Sequence, residues 1–256
     1  MAAGPDLGVA NATATGTETT FRVICEGASV PAALWLPEES HRPPVVLLGH
    51  GGADHKTSVQ HRLLADWFAS NLGAACLSID GPFHGERSFG EGRAEEANQA
   101  ILAQGPEVVQ RQMTREWLAV LSAVAERGLV NDDMVGYIGF SLGSVYGLPL
   151  CAELGSRLRA AAVGKVGTTC AAHLTNIASP VVLCEAASRI TAPVLFQMQW
   201  DDEIFPRPTQ LELFDLIGSR QKVLRAHPGH HSDTWPADEV VWREHVATHL
   251  RSAGQS

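Results

Sequence analysis

A serine stands between two glycines at Gly139-Phe140-Ser141-Leu142-Gly143, straight after the apolar run Val135-Gly136-Tyr137-Ile138 and straight before a stretch of helical character. Strand, sharp turn and helix put a hydroxyl at the apex, where the backbone is strained and a side chain on either glycine would crowd its neighbours. A serine hydroxyl is a poor nucleophile alone; it needs a neutral imidazole to take its proton and a carboxylate to hold the imidazole tautomer. Downstream, Asp201-Asp202 and His230-His231 each offer two candidates. Ser141, Asp202 and His230 fill each role once, in the order nucleophile, acid, base, one of the few orders in which this chemistry recurs.

These groups must be delivered by the ends of strands. Pro43-Pro44 introduces Val45 to Leu48, a continuous apolar run of the kind buried on both faces of a sheet. Further strands are predicted over 74–79, 134–140, 160–166, 192–198 and 222–225. Ser141, Asp202 and His230 each follow one of them, where reactive groups of an open parallel sheet belong. Leu63, Leu64, Trp67, Phe68 and Leu72 recur at helical spacing, as do Met113, Trp117, Leu118, Leu121 and Val124. Helices are also expected over 142–154, from Pro206 onward and over 238–250. Residues 21–25 and 32–36 read as an antiparallel hairpin at the edge. The alternation predicts an α/β fold, with a mostly parallel central sheet of about eight strands and helices on both faces. One domain over 21–256 is expected, after a flexible extension at 1–20. A polar excursion at 83–107 reads as a pocket rim and 168–190 as a short lid-like segment.

Bulk properties narrow the partners. With 28 acidic against 19 basic residues, a formal net charge of -9 argues against nucleic acid or an anionic membrane. No apolar stretch is long enough to span a bilayer, and 1–20 lacks the basic start and apolar run of a secretion signal. Cys25, Cys76, Cys151, Cys170 and Cys184 are widely spaced and odd in number, which reads as free thiols in a reducing, cytoplasmic setting. His55 and His61 lack the carboxylate or thiol company of a metal site and are expected at the surface. There is no phosphate-loop or dinucleotide glycine pattern. No metal or organic cofactor is expected, the partner is a small-molecule acyl substrate, and the oligomeric state stays open.

Together these residues resemble the α/β-hydrolase family, closest to its dienelactone-hydrolase-like and small serine esterase branches, over nearly the whole chain from Phe21. The marks are Leu48-Gly49-His50-Gly51-Gly52, Asp80-Gly81-Pro82-Phe83-His84-Gly85, Gly136-Tyr137-Ile138-Gly139-Phe140-Ser141-Leu142-Gly143, Asp202-Glu203-Ile204-Phe205-Pro206 and Pro228-Gly229-His230. The resemblance implies cofactor-free acyl transfer, here serine-dependent hydrolysis of a small carboxylic ester through an acyl-enzyme. Dienelactone hydrolases proper use cysteine, so Ser141 points to the esterase and peptidase-like relatives. A peptidase or amidase, a thioesterase and a carbon-carbon bond hydrolase would use the same triad; the non-enzymatic alternative is a ligand-binding module.

The family's acid-to-proline spacing selects Asp202 over Asp201, and its Gly-His pair selects His230 over His231. The amides of Gly52 and Leu142 are expected to form the oxyanion hole, with Ala53 as the alternative to Gly52. His50 is expected to be a structural hydrogen-bonder beneath that loop and His84 a brace. Trp200, Trp235 and Phe83 are expected to wall the substrate pocket. The short gap between 166 and 193 leaves little chain for a lid, so a small, open and mostly uncharged site is predicted.

Overall fold

Among the described residues, 7–38 and 40–253, the computed structural model places nine strands in one sheet. In chain order the elements are β1 (Leu7–Ala12), β2 (Gly16–Cys25), β3 (Ala28–Pro37), β4 (Pro44–Gly49), α1 (Val59–Leu72), β5 (Ala75–Ile79), α2 (Ala94–Gln104) and α3 (Pro106–Ala125). There follow β6 (Asn131–Phe140), α4 (Leu142–Leu154), β7 (Leu158–Gly164), α5 (Pro180–Arg189), β8 (Val194–Gln199), α6 (Arg207–Leu216), β9 (Lys222–His227) and α7 (Pro236–Ala253). The strands lie in the order β1-β2-β3-β5-β4-β6-β7-β8-β9. From β5 to β9 neighbours run parallel, and β1, β2 and β3 add an antiparallel edge.

The alternation of side chains across the sheet builds two cores. Val45 and Leu47 of β4 face one way, with Trp117 of α3, Leu150 of α4, Leu183 of α5 and Leu213 of α6. Val46 and Leu48 face the other way, with Leu64 and Phe68 of α1 and Trp242 and Val246 of α7. Both faces are covered, as the continuous apolar runs required.

The ninth strand corrects the expectation for 1–20. Residues 7–12 pair antiparallel with β2, which itself begins at Gly16. Thr17, Thr19 and Thr20 are β-branched residues suited to the pleated strand β2, and β1, which holds no threonine, pairs its backbone with Thr17 and Thr19 among them. Residues 1–6 lie outside the described part. The 83–107 excursion is likewise more ordered than a loop: it contains α2, whose Ile101 is fully buried in the first core.

The sequence order of strands reverses at β4, which has β5 on one side and β6 on the other. At such a switch point the loops leaving the carboxyl ends diverge and open a crevice. The loop after β4 and the turn after β6, which hold His50-Gly51-Gly52 and Ser141, both emerge there.

Candidate active site

Ser141 occupies the turn between β6 and α4 with φ 55° and ψ −120°, a strained conformation for a residue with a side chain. Its amide donates to the carbonyl of Gly164 on β7 at 3.0 Å, and its carbonyl accepts from Ser144 and Val145 in the first turn of α4. The flanking glycines are required by close approach. A Cβ on Gly143 would lie 2.6 Å from the Gly49 carbonyl oxygen, and one on Gly139 would lie 2.7 Å from the Tyr137 hydroxyl. That hydroxyl donates to the Gly143 carbonyl at 2.5 Å and locks the turn from below.

The Ser141 hydroxyl meets Nε2 of His231 at 2.7 Å, and Nδ1 of the same ring meets Oδ2 of Asp202 at 2.9 Å. The other oxygen of Asp202 accepts the amides of Ile204 and Phe205 at 2.9 and 2.8 Å. These bonds fix the carboxylate and keep it an acceptor, so Nδ1 carries the proton and Nε2 is free to take one from the serine. The Asp202 side chain is fully buried and that of His231 nearly so.

The histidine is therefore His231, not His230. The His230 side chain is 71% exposed and faces Glu203, with Nδ1 3.3 Å from its carboxylate. Three bonds set this register: the Gly229 carbonyl accepts from Asp201, the His230 amide donates to Asp233, and the His231 amide donates to Glu203 at 2.9 Å. The Asp233 amide closes a turn back to the His230 carbonyl, and His231 projects from it toward Ser141. Gly229 does need to be glycine, at φ 128° and with Asp233 against it, but the need is the loop's own. Asp201 serves this loop as well, accepting the Gly229 amide at 3.3 Å.

Two histidines hold the loop after β4. His50 donates from Nδ1 to the Gly51 carbonyl at 2.8 Å and accepts the Gly81 amide on Nε2 at 2.9 Å. Nε2 of His84 lies 3.1 Å from the Gly52 carbonyl and its Nδ1 2.8 Å from that of Pro82. In a trans peptide the N–H points opposite the C=O, so anchoring these carbonyls orients the amides of Gly52 and Ala53. Burial pushes the His50 imidazole down to about 4 and lowers that of His84. Asp80, beneath the same loop, pairs with the buried Lys56 at 2.8 Å and accepts its amide; these bonds outweigh its desolvation and hold its carboxyl below the usual range. His61, expected at the surface, is buried and hydrogen-bonded to Ser78 and the Lys56 carbonyl.

No protein-family profile matches the chain, and no curated protein sequence does. Solved structures do. A cold-adapted esterase from an Arctic intertidal metagenomic library is 28% identical over 95% of this chain and 98% of its own, with a TM-score of 0.81. The fold is that of an α/β-hydrolase. An acetyl xylan esterase from Paenibacillus sp. R4 aligns over 96% of this chain and 88% of its own at 18% identity and TM-score 0.75. Est1E from Butyrivibrio proteoclasticus aligns over 92% and 99% at 16% identity and TM-score 0.63.

The hydrolase opens around Ser141 into a cavity of about 1020 Å³, bordered also by His231, Gly52, Ala53 and Leu142. That is at the upper end of the roughly 300–1,000 Å³ usual for a small-molecule site, larger than the small site expected, while its lining is mostly uncharged. Its apolar walls come from both cores: Leu64, Ile138 and Trp242 on the α1/α7 side, Leu142, Val145 and Phe205 on the other. Asp54, Glu95, Glu203 and Lys165 bring charge to it.

The three aromatic residues expected to wall the pocket do not border this cavity. Trp200 is half-exposed under the Arg207 guanidinium, 3.8 Å from its ring centroid; Trp235 is half-exposed and stacks on His227; Phe83 packs edge-on against Phe89. Each satisfies its ring outside the site. The 83–107 and 168–190 segments do reach the cavity, through Asn98, Gln99 and Leu102 of α2 and through residues 170 and 173–177 before α5. Phe205 and Trp242 could have been found from helical and acid-loop placement, whereas Lys165 left no motif at all. The described residues hold no cluster of three metal-ligating side chains and no helix long and apolar enough to cross a membrane.

Proposed function

We propose that this serine hydrolase cleaves a carboxylic ester of a small molecule through an acyl-enzyme, with Ser141 as nucleophile, His231 as base and Asp202 as its orienting carboxylate. The bond relay Ser141–His231–Asp202, at 2.7 and 2.9 Å, is the observation that carries it. His231 takes the hydroxyl proton on Nε2 as Ser141 Oγ attacks the ester carbonyl. The imidazolium then gives that proton to the departing alkoxide, and the acyl group stays on the serine. Water repeats the cycle: His231 deprotonates it, hydroxide adds to the acyl carbon, and the proton returns to Oγ as the carboxylic acid leaves. Asp202 stays ionised throughout.

The oxyanion formed at each addition is assigned to the amides of Leu142 and Gly52. Both residues border the cavity, and the His50 bond to the Gly51 carbonyl orients the Gly52 amide. The similarity to an esterase at 28% identity over nearly both full chains supports the ester over the amide, thioester or carbon-carbon alternatives. We assign α2 and the loop before α5 to the rim of the substrate entrance. The five free cysteines support a reducing, cytoplasmic location, which fractionation of the source cells would test.

A fluorophosphonate probe should label one site in the wild type, on the Ser141 peptide, and none in Ser141→Ala. Labelling without turnover of any ester in a panel of esters, thioesters and amides would leave the nucleophile and overturn the substrate class. Absence of labelling would overturn the mechanism.

A further inference from the structure

Lys165 is a cation built into the catalytic cavity with no catalytic task. It follows Gly164, the carbonyl of which accepts the Ser141 amide, so Lys165 leaves the end of the strand next to the nucleophile. Adjacent strands are about 4.8 Å apart, which puts the two residues within a short span. Lys165 holds a positive φ of 50°, is 6% exposed, and borders the cavity. Its ammonium donates to the Asp233 carbonyl at 2.6 Å and to the Thr234 hydroxyl at 3.0 Å, both neutral oxygens. An ammonium has three donors, so one is left.

A buried charge without a counter-charge is costly, yet the acids around Lys165 are engaged elsewhere. Asp202 holds His231 and two backbone amides; Asp233 takes the His230 amide; Asp238 takes Arg225 and the Trp235 amide. Burial is the leading influence on the Lys165 amine and pushes it down, with these acids opposing. Trp242 also borders the cavity, and it is 2% exposed. Ser232 and Thr234 border it too.

We infer that the α1/α7 side of the cavity is an anion subsite, in which Lys165 receives a carboxylate carried by the ester substrate a few bonds from its scissile carbonyl. The substrate class is the half-ester of a short dicarboxylic acid: the reacting ester faces Ser141, and the free carboxylate takes the third N–H of Lys165. The proposal rests on the ester-hydrolase reading above.

The test compares monoethyl succinate with diethyl succinate, its neutral counterpart, in the wild type, Lys165→Met and Lys165→Arg. The readout is the ratio of kcat/KM for half-ester to diester, since Lys165 also steadies the His231 loop and its loss will slow both. A charged hydrogen bond of ordinary strength predicts that Lys165→Met lowers this ratio by roughly tenfold or more, and that Lys165→Arg retains most of it. An unchanged ratio in Lys165→Met overturns the subsite, as does a wild type that hydrolyses the diester but not the half-ester. Should Lys165→Met fail to fold, inhibition of wild-type diester turnover decides: succinate should compete and neutral succinamide should not, and equal effects overturn the proposal. Fluorophosphonate labelling of Ser141 with diester turnover, but without carboxylate preference, sinks this inference alone. Absence of labelling sinks the reading beneath it.

Discussion

The turn that carries the nucleophile and the loop that carries its base are built in opposite ways. Ser141 lies between buried elements in close contact: Gly49 presses on Gly143, the Tyr137 hydroxyl bonds beneath it, and β7 holds its amide. His231 lies in an exposed loop held by side-chain carboxylates, with Glu203 on its own amide and Asp201 and Asp233 on the residues before it. Sterically determined geometry allows few residue types and so leaves a motif. Geometry determined by hydrogen bonds can be met by many polar sequences, and it leaves none.

The sharpest test of that contrast is also the largest effect. His231→Ala should lower kcat by about 10⁴–10⁶, as Ser141→Ala should, whereas His230→Ala should stay within about tenfold because its ring touches only the exposed Glu203. Pre-steady-state and steady-state turnover of one activated ester would measure all three. A costly His230→Ala with a harmless His231→Ala would show that the loop shifts register on binding substrate.

Acid should strike the rigid region. The His50 imidazole is fully buried and neutral, pushed down to about 4 from an ordinary 6.5 chiefly by desolvation, with His84 adding to the effect. The unfolded chain then binds the proton more readily than the fold does. The stability contributed by neutral His50 is complete above pH 6.5 and drains as pH falls toward 4, by on the order of 3 kcal/mol in all. Urea midpoints from pH 7 to 4.5 should fall in the wild type. Correcting for its lower starting stability, His50→Gln should show a shallower decline; parallel slopes would assign the loss to other groups.

This division explains what could be read in advance. The apolar runs of β4, β6 and β8 and the glycines around Ser141 reflect burial and close contact, which one-dimensional patterns record. Asp202 was legible because its turn is local: its oxygen accepts amides two and three residues on. His231 was not, because its register depends on Asp201 and Glu203, nearly thirty residues away. Trp200 and Trp235 misled for a related reason. Proximity in sequence to the acid and the base says little about which side of a loop a ring takes, and these two stack on Arg207 and His227 instead.

Gly143→Ala tests the steric side directly. Its added Cβ would stand 2.6 Å from the backbone oxygen of Gly49, an atom of a central strand that cannot swing away. A loss of about 1–3 kcal/mol is expected, as for other overpacked sites, with a matching fall in the thermal midpoint. A neutral outcome would mean that α4 can shift along the sheet without cost.

The smallest effect should come from the polar side. Glu203 is about half-exposed, and its carboxyl is lowered chiefly by the bond it accepts from the His231 amide. Glu203→Gln keeps an acceptor at that position and removes only the charge, so the loss should be under about 1 kcal/mol. Glu203→Ala leaves the His231 amide to water, which can reach it in so exposed a loop, and should cost somewhat more. In both variants the fall should appear in kcat rather than in thermal stability, because the loop belongs to neither core while His231 must stay within reach of Ser141. Loss of stability without loss of kcat would reverse the assignment and make Glu203 a general stabiliser instead of a residue that positions the base. If Glu203→Ala instead brought His230 into use, His230→Ala made in that background would cost far more than it does in the wild type, and the two histidines would prove to be alternative registers of one loop.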